Sequence, residues 1–382
     1  MAETNTTFFL MVLIIAIGSF AIYWQFRRKQ QTERQSNVYQ EALENTLEGN
    51  ERVAIQKFKD AIREDSENIN AYIHLGDLLR KRGMVPNAIR IHRDLTLRTT
   101  LTHTQRVRIQ KSLILDYEAA NDWEKASKIA QTLLELEKKP DLWLVQKMVD
   151  LYEKTGQWKA ASELIDKFQK KLSPQYQKRV ALYLVFQGLE LQEKGSGKEG
   201  RVLFKEALKK DSNCAAAYYY LGRSYKQENR LEDAVEYWKK MCFAVPEKSY
   251  IVFSDLEKAS FEIGRFSDVE RHYMEMIDSF KNNLKPGLAL TEIYTKKGDF
   301  DSALDLLKRL EDEHPDAPEL ITQKVVVLFN KGQYKQAATQ AISLFKENHN
   351  YLAPSYQCEK CQYESKEPLW RCPECLGIDT FV

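Results

Sequence analysis

One spacing recurs along the chain and constrains its fold more than any single residue does. Aligning AIQKFKDAIRED (from Ala54), AIRIHRDLTLRT (from Ala88) and AVEYWKKMCFAV (from Ala234) sets a common frame. Its marker falls at Ala54, Ala88, Ala126, Ala161, Gly200, Ala234, Val269, Ala303 and Ala337, in steps of 34, 38, 35, 39, 34, 35, 34 and 34 residues. Five residues before each marker stand Gly49, Gly83, Asn121, Gly156, Gly195, Asn229, Gly264, Gly298 and Gly332. Gly and Asn are the two residue types that best tolerate a left-handed backbone, which a helix needs at its end before a tight turn. The small marker leaves room for two helices to cross closely. The unit is therefore a helix-turn-helix, and the 38- and 39-residue steps predict kinks or longer loops near Thr99–Thr104 and Leu172–Gln175.

Composition supports an all-helical reading. Of 382 residues only 15 are Gly and 10 Pro, too few for a turn-rich β architecture. With 43% hydrophobic residues the chain can bury enough apolar surface to offset its entropy, so it is not a disordered sequence. Leu75-Gly76, Leu221-Gly222, Tyr225 and Tyr294 fit the L-G and Tyr positions of the 34-residue tetratricopeptide pattern. Residues 38–350 accordingly resemble an array of about nine tetratricopeptide units, and HEAT and armadillo arrays, with periods of roughly 40–47, fit less well. Such arrays wind into a superhelix whose concave face binds segments of other proteins.

Formal charge is only +2, which excludes a global field of the kind nucleic-acid binders carry. Charge is nonetheless segregated. Arg80, Lys81, Arg82, Arg90, Arg93, Arg98, Arg106, Arg108 and Lys111 face a single acid, Asp94, within residues 80–111. Two readings stay open: a patch for anionic headgroups or an acidic partner, and an ordinary solvated face.

From Phe8 to Phe26 the chain runs 19 residues without a charge, enough for one helix to cross a hydrocarbon core about 30 Å thick. Tyr23 and Trp24 close this stretch and Arg27, Arg28 and Lys29 follow, so the positive-inside rule puts residues 1–7 outside and the rest in the cytoplasm. A cleaved signal peptide would need a basic leading region and a small-residue cleavage site, and neither is visible. Residues 27–37 read as a polar linker.

Four of six cysteines crowd into residues 351–382: Cys358, Cys361, Cys372 and Cys375, spaced C-x2-C-x10-C-x2-C. Each C-x-x-C aims two thiolates at one ion, and two such knuckles close a tetrahedral site with no open position for water or substrate. One metal ion is expected there; zinc is favoured, iron is compatible with the same ligands, and a disulfide pair is disfavoured in a reducing compartment. Trp370, Tyr363 and Leu369 are available to cover it. The module resembles a rubredoxin-type ribbon, with Cys372-Pro373-x-Cys375 matching and Gln362 standing where that family has Gly. Cys214 and Cys242 read as buried core thiols.

No nucleophile elbow, metalloprotease helix or dinucleotide fingerprint occurs, and the six histidines are scattered, so no catalytic residues are assigned and the chain is read as non-enzymatic. Gly195–Gly200 (GSGKEG) lacks the Ser/Thr of a P-loop and falls at an inter-helix turn. No nucleotide or other organic cofactor site is expected.

The ordered combination of anchor, nine units and terminal ribbon is rarer than its parts. With LGDLLRKRGMVPNAIRIHRDL (Leu75–Leu95), LTHTQR (Leu101–Arg106) and YQCEKCQY...LWRCPEC (Tyr356–Cys375), it resembles the lipopolysaccharide assembly protein B family. That resemblance implies an adaptor in the bacterial inner membrane, partnered with a membrane AAA+ protease, the lipid A pathway deacetylase and other lipopolysaccharide assembly proteins. It implies that Cys358, Cys361, Cys372 and Cys375 hold the metal; a ribbon folded against the last repeats, keeping the groove in its binding shape, is a separate hypothesis. Self-association is left open, and a general envelope scaffold and a rubredoxin-type electron carrier are the alternative functions.

Overall fold

A computed structural model describes residues 23–25, 37–315, 317–346 and 356–381, without the side chains of 343–346. The chain divides into two compact units, the first ending at Thr155 and the second beginning at Gly156. The first contains α1 (37–47), α2 (Glu51–Glu64), α3 (Ile69–Lys81), α4 (Val85–Thr96), α5 (His103–Ala119), α6 (Trp123–Leu136) and α7 (Leu142–Lys154). The second contains α8 (Trp158–Phe168), α9 (Pro174–Glu193), α10 (Gly197–Lys210), α11 (Ala215–Gln227) and α12 (Leu231–Ala244), then a 3₁₀ segment (Pro246–Val252). It continues with α13 (Phe253–Glu262), α14 (Ser267–Ser279), α15 (Lys285–Lys297), α16 (Phe300–Glu313), α17 (Pro318–Asn330) and α18 (Tyr334–Lys346). A two-stranded antiparallel ribbon of β1 (Tyr356–Gln357) and β2 (Glu364–Ser365) follows.

All nine predicted turn positions have positive φ, from 57° at Asn121 and 58° at Asn229 to 84° at Gly332. The residue between the two helices of each pair therefore acts as the sequence pattern requires: it reverses the chain in a short turn, leaving adjacent helices antiparallel. In both units consecutive helices pack side by side, and first helices touch the next first helices, as α3 does α5 and α15 does α17. The fold is all-α and tetratricopeptide-like, with its β structure confined, among the described residues, to the terminal ribbon.

The core of each hairpin is organised around the marker. The fourth residue after it is fully buried at Phe58, His92, Ala130, Ile165, Phe204, Trp238, Tyr273 and Leu307. Opposite, on the first helix, sits a side chain of complementary size. Gly76 receives the His92 ring, Gly188 receives Phe204 and Gly222 receives Trp238, each so close that a Cβ would collide with the ring. Where the first helix carries the larger group, as at Ile114, the second answers with Ala130, and both are fully buried. Close packing at near-crystalline density demands such compensation within every repeat.

The two long steps are taken up mainly by longer first helices, α5 with 17 residues and α9 with 20 against 13 in α3 and α11, and at the first step the connection 97–102 is also longer than its counterpart 65–68. A reciprocal capping box between Thr102 and Gln105 starts α5, satisfying amide groups that would otherwise be orphaned at its N-terminus.

The basic segment is mostly neutralised inside the first unit. Arg80 bridges Asp77 at 2.8 Å and Asp116 at 2.7 Å, Lys81 and Arg82 meet Glu51, Arg98 approaches Glu67, and Lys111 pairs with Asp141. Arg106 donates to the Leu101 carbonyl and Arg108 to His74. Only Arg90 and Arg93 stand exposed without such a contact, so the segment is a paired structural face more than a free basic patch.

Among the described residues no helix is long and apolar enough to cross a membrane. The predicted span, Phe8 to Phe26, lies outside them except for Tyr23, Trp24 and Gln25, which are helical and exposed.

Candidate metal centre

The two C-x-x-C segments fold as near copies of each other. In the first, the Cys358 amide donates to the Tyr363 carbonyl at 2.9 Å; in the second, the Cys372 amide donates to the Gly377 carbonyl at 2.8 Å. The residue after each second cysteine is left-handed, Gln362 at φ 60° and Leu376 at φ 55°. This explains the departure noted in the sequence: the knuckle needs that backbone conformation whether or not glycine supplies it, and Gln362 pays a small steric cost there. An isolated bridge between Arg371 and Ile378 closes the second knuckle, and one between Cys358 and Phe381 joins the first knuckle to the segment that follows the second.

This folding brings four thiols to one point. The sulfurs of Cys358, Cys361, Cys372 and Cys375 all lie within 4.8 Å of one another, with Cys358 to Cys375 at 3.7 Å and Cys361 to Cys372 at 3.5 Å. Such a cluster can hold one metal ion, and its donor set fits zinc or iron. Its electrostatics are asymmetric. Burial opposes ionisation of Cys358, but the Thr380 hydroxyl, 3.1 Å from its sulfur, and nearby amide N–H groups outweigh this and hold the thiol down at about 6. At Cys361 the Tyr363 amide favours the thiolate, yet desolvation and the neighbouring thiols prevail and push it up to about 12. Four thiolates cannot share so small a volume without a compensating cation. Cys214 and Cys242 differ entirely: burial pushes each up to about 12, as core thiols require.

The ribbon does not sit on the last repeats, as expected, but on the middle of the second unit. Trp370 is buried between Tyr219 and Tyr220 of α11, with ring centroids 5.2 and 5.6 Å away. Tyr356 stacks on Tyr250 of the 3₁₀ segment, Lys248 bridges Asp379 at 3.0 Å, and the Arg371 guanidinium lies 4.8 Å from the Trp158 ring centre. Trp370 thus anchors the ribbon to the helices instead of covering the thiols. The docking partners were not singled out in sequence, although the run AAAYYY at Ala215–Tyr220 is the signal that could have found them: three consecutive tyrosines cannot all face one helical core.

A second polar cluster also escaped notice. His92, fully buried in the first unit, directs Nδ1 to Asp116 at 2.6 Å and Nε2 to the Ile73 carbonyl at 3.1 Å, while Arg80 holds the other carboxylate oxygen. Both ring nitrogens of His92 and both carboxylate oxygens of Asp116 find partners, so this is a structural network occupying the space left by Gly76. His103, paired with Glu137, and His314, bonded to the Lys281 carbonyl, are surface residues as expected.

Fold and site together define a repeat-array protein that carries a four-cysteine ribbon docked on its helices. The tetratricopeptide repeat family matches residues 187–248 and again residues 288–319. Lipopolysaccharide assembly protein B of Escherichia coli (strain K12) is 23% identical over 382 residues, covering 97% of both chains, and that of Haemophilus influenzae is 22% identical, covering 96% of both. The family resemblance read from the sequence therefore holds along nearly the whole chain. Among solved structures, a Naa15/Naa10 complex bound to HypK-THB aligns with a TM-score of 0.40 at 14% identity, over 82% of this chain and 58% of that one. Yeast Tom70 aligns with a TM-score of 0.35 at 16% identity, over 84% and 82%.

Proposed function

We propose that this chain is a non-enzymatic, membrane-tethered adaptor in lipopolysaccharide assembly. The observation that carries the reading is the end-to-end match to relatives bearing that name, which spans anchor region, repeats and ribbon in one order. In this proposal residues 1–7 face the periplasm, 8–26 span the inner membrane, 27–37 link, 38–350 present a protein-binding array in the cytoplasm, and 351–382 bind one metal ion. Cys358, Cys361, Cys372 and Cys375 are its ligands, zinc being favoured because no redox-cofactor motif accompanies the cysteines in the sequence.

Mechanistically, a single anchor confines the array to two dimensions. A soluble protein held by the repeats is thereby brought to high effective concentration beside membrane partners. Delivery of the lipid A pathway deacetylase to a membrane AAA+ protease is the specific form we propose, and it asks no bond chemistry of this chain. The metal supplies folding energy to a ribbon too small for a core of its own, and Trp370, Tyr356 and Asp379 convert that energy into docking on α11 and the 3₁₀ segment.

The test is to deplete the protein in its own host and follow the deacetylase half-life together with lipopolysaccharide per cell. Both rise if the reading is right. A constant half-life with altered lipopolysaccharide would remove the protease step and keep the assembly role; no change in either would remove both.

A further inference from the structure

The segment that follows the last cysteine turns back across the thiols. Three backbone hydrogen bonds of 2.8 Å hold it there: the Cys372 amide donates to the Gly377 carbonyl, the Asp379 amide to the Trp370 carbonyl, and the Glu359 amide to the Thr380 carbonyl. Asp379 is left-handed at φ 49°, and its carboxylate pairs with Lys248 of the 3₁₀ segment. The next residue, Thr380, is buried, and its Oγ1 lies 3.1 Å from the sulfur of Cys358. This close approach depends on Gly377, where a Cβ would stand 3.0 Å from Thr380 Cγ2 and 3.2 Å from the Cys375 sulfur.

A sulfur bound to a metal carries no proton, so in a loaded site the Thr380 hydroxyl donates and the Cys358 thiolate accepts. Among the described residues that hydroxyl has no other partner, and a buried hydroxyl is costly to leave unpaired. The two sulfurs of the first knuckle differ in what they need. Cys361 is exposed and can share its charge with water, whereas Cys358 is fully buried and cannot. A divalent ion among four thiolates leaves an excess of negative charge, which hydrogen-bond donors around the sulfurs offset. We propose that Thr380 is a positioning residue of the metal centre: its hydroxyl donates to the Cys358 thiolate, fixes the direction of that sulfur and so strengthens retention of the ion. The site therefore extends past the two C-x-x-C pairs to a residue that the cysteine spacing does not mark. The inference rests on the proposed reading that the four cysteines hold one ion, and deepens it.

The experiment uses the full chain, purified in detergent and loaded with Zn²⁺, and measures affinity by competition with a chromogenic chelator; a parallel sample carries Co²⁺ for its thiolate absorption. Thr380→Val keeps the shape and removes the donor, and should weaken zinc binding by about 10–100-fold. Thr380→Ser keeps the hydroxyl and should restore most of that loss. With Co²⁺ the sulfur-to-metal charge-transfer band should move to longer wavelength in Thr380→Val and return in Thr380→Ser, a signature that loss of packing alone does not give. Unchanged zinc affinity with an unmoved cobalt band in Thr380→Val, or a Thr380→Ser variant as weak as Thr380→Val, overturns the proposal and leaves the four-cysteine site standing. Failure of the unsubstituted chain to bind either ion overturns both.

Discussion

At the scale of single residues, the repeat works by exchanging volume across one contact. Gly222 and Trp238 illustrate it, because the indole fills the space a side chain at 222 would need. Gly222→Ala is expected to destabilise the second unit by about 1–3 kcal/mol, as overpacking does, and Trp238→Leu in the same chain to recover part of the loss. Thermal unfolding of the single and double variants measures the coupling. His272 offers a different test. Burial, aided by Lys239, holds it down at about 4, and its Nε2 has no hydrogen-bond partner. The unfolded chain binds that proton near 6.5 and the native chain only near 4, so stability falls as pH drops through this interval, by about 3 kcal/mol at most. His272→Leu removes the burden. Its stability advantage over the unsubstituted chain should grow from pH 7 to pH 4; a constant gap would show that the imidazole binds its proton equally well in the folded and the unfolded chain.

At the scale of elements, turns and docking contacts carry separable energies. Asn229 holds φ at 58° between α11 and α12, a conformation that Ala adopts poorly. Asn229→Ala should cost about 1 kcal/mol, and Asn229→Gly should cost less or gain, both read from urea midpoints. The ribbon depends on Trp370 and on its thiols. Trp370→Ala is expected to cost the docked state about 3–5 kcal/mol, the range for a buried Trp truncation, while leaving the helices intact. Near-UV circular dichroism should lose the Trp370 signal and far-UV helicity should stay. Chelation of the metal proposed for the four cysteines should give the same pair of changes, because without an ion the knuckles have no core to hold them. Loss of far-UV signal in either case would mean that the ribbon supports the repeats as well as resting on them.

At the scale of the whole molecule, the proposed division of labour separates tether from trap. Removing residues 1–36 should leave thermal stability and metal content unchanged, since every described core residue lies beyond them. Adaptor activity in cells should nonetheless be lost, because a soluble array no longer shares a surface with membrane partners. Restoring activity by fusion to an unrelated single-pass anchor would confirm that confinement is what the segment supplies; failure of every foreign anchor would assign it specific contacts.

Periodicity made the repeats legible. Marker and turn residue act within one hairpin, where backbone geometry alone decides the outcome, so Gly49 through Gly332 and the two asparagines were readable one by one. The four cysteines were legible for the same reason, since each knuckle is a local turn and only their convergence needed a fold. What the tertiary structure decided is everything that joins distant segments. That Asp116 receives both Arg80 and His92, and that Trp370 lands between Tyr219 and Tyr220, depend on contacts separated by tens to more than a hundred residues. A repeat pattern specifies neighbours along the chain; it carries no term for a terminal module that folds back across several of them.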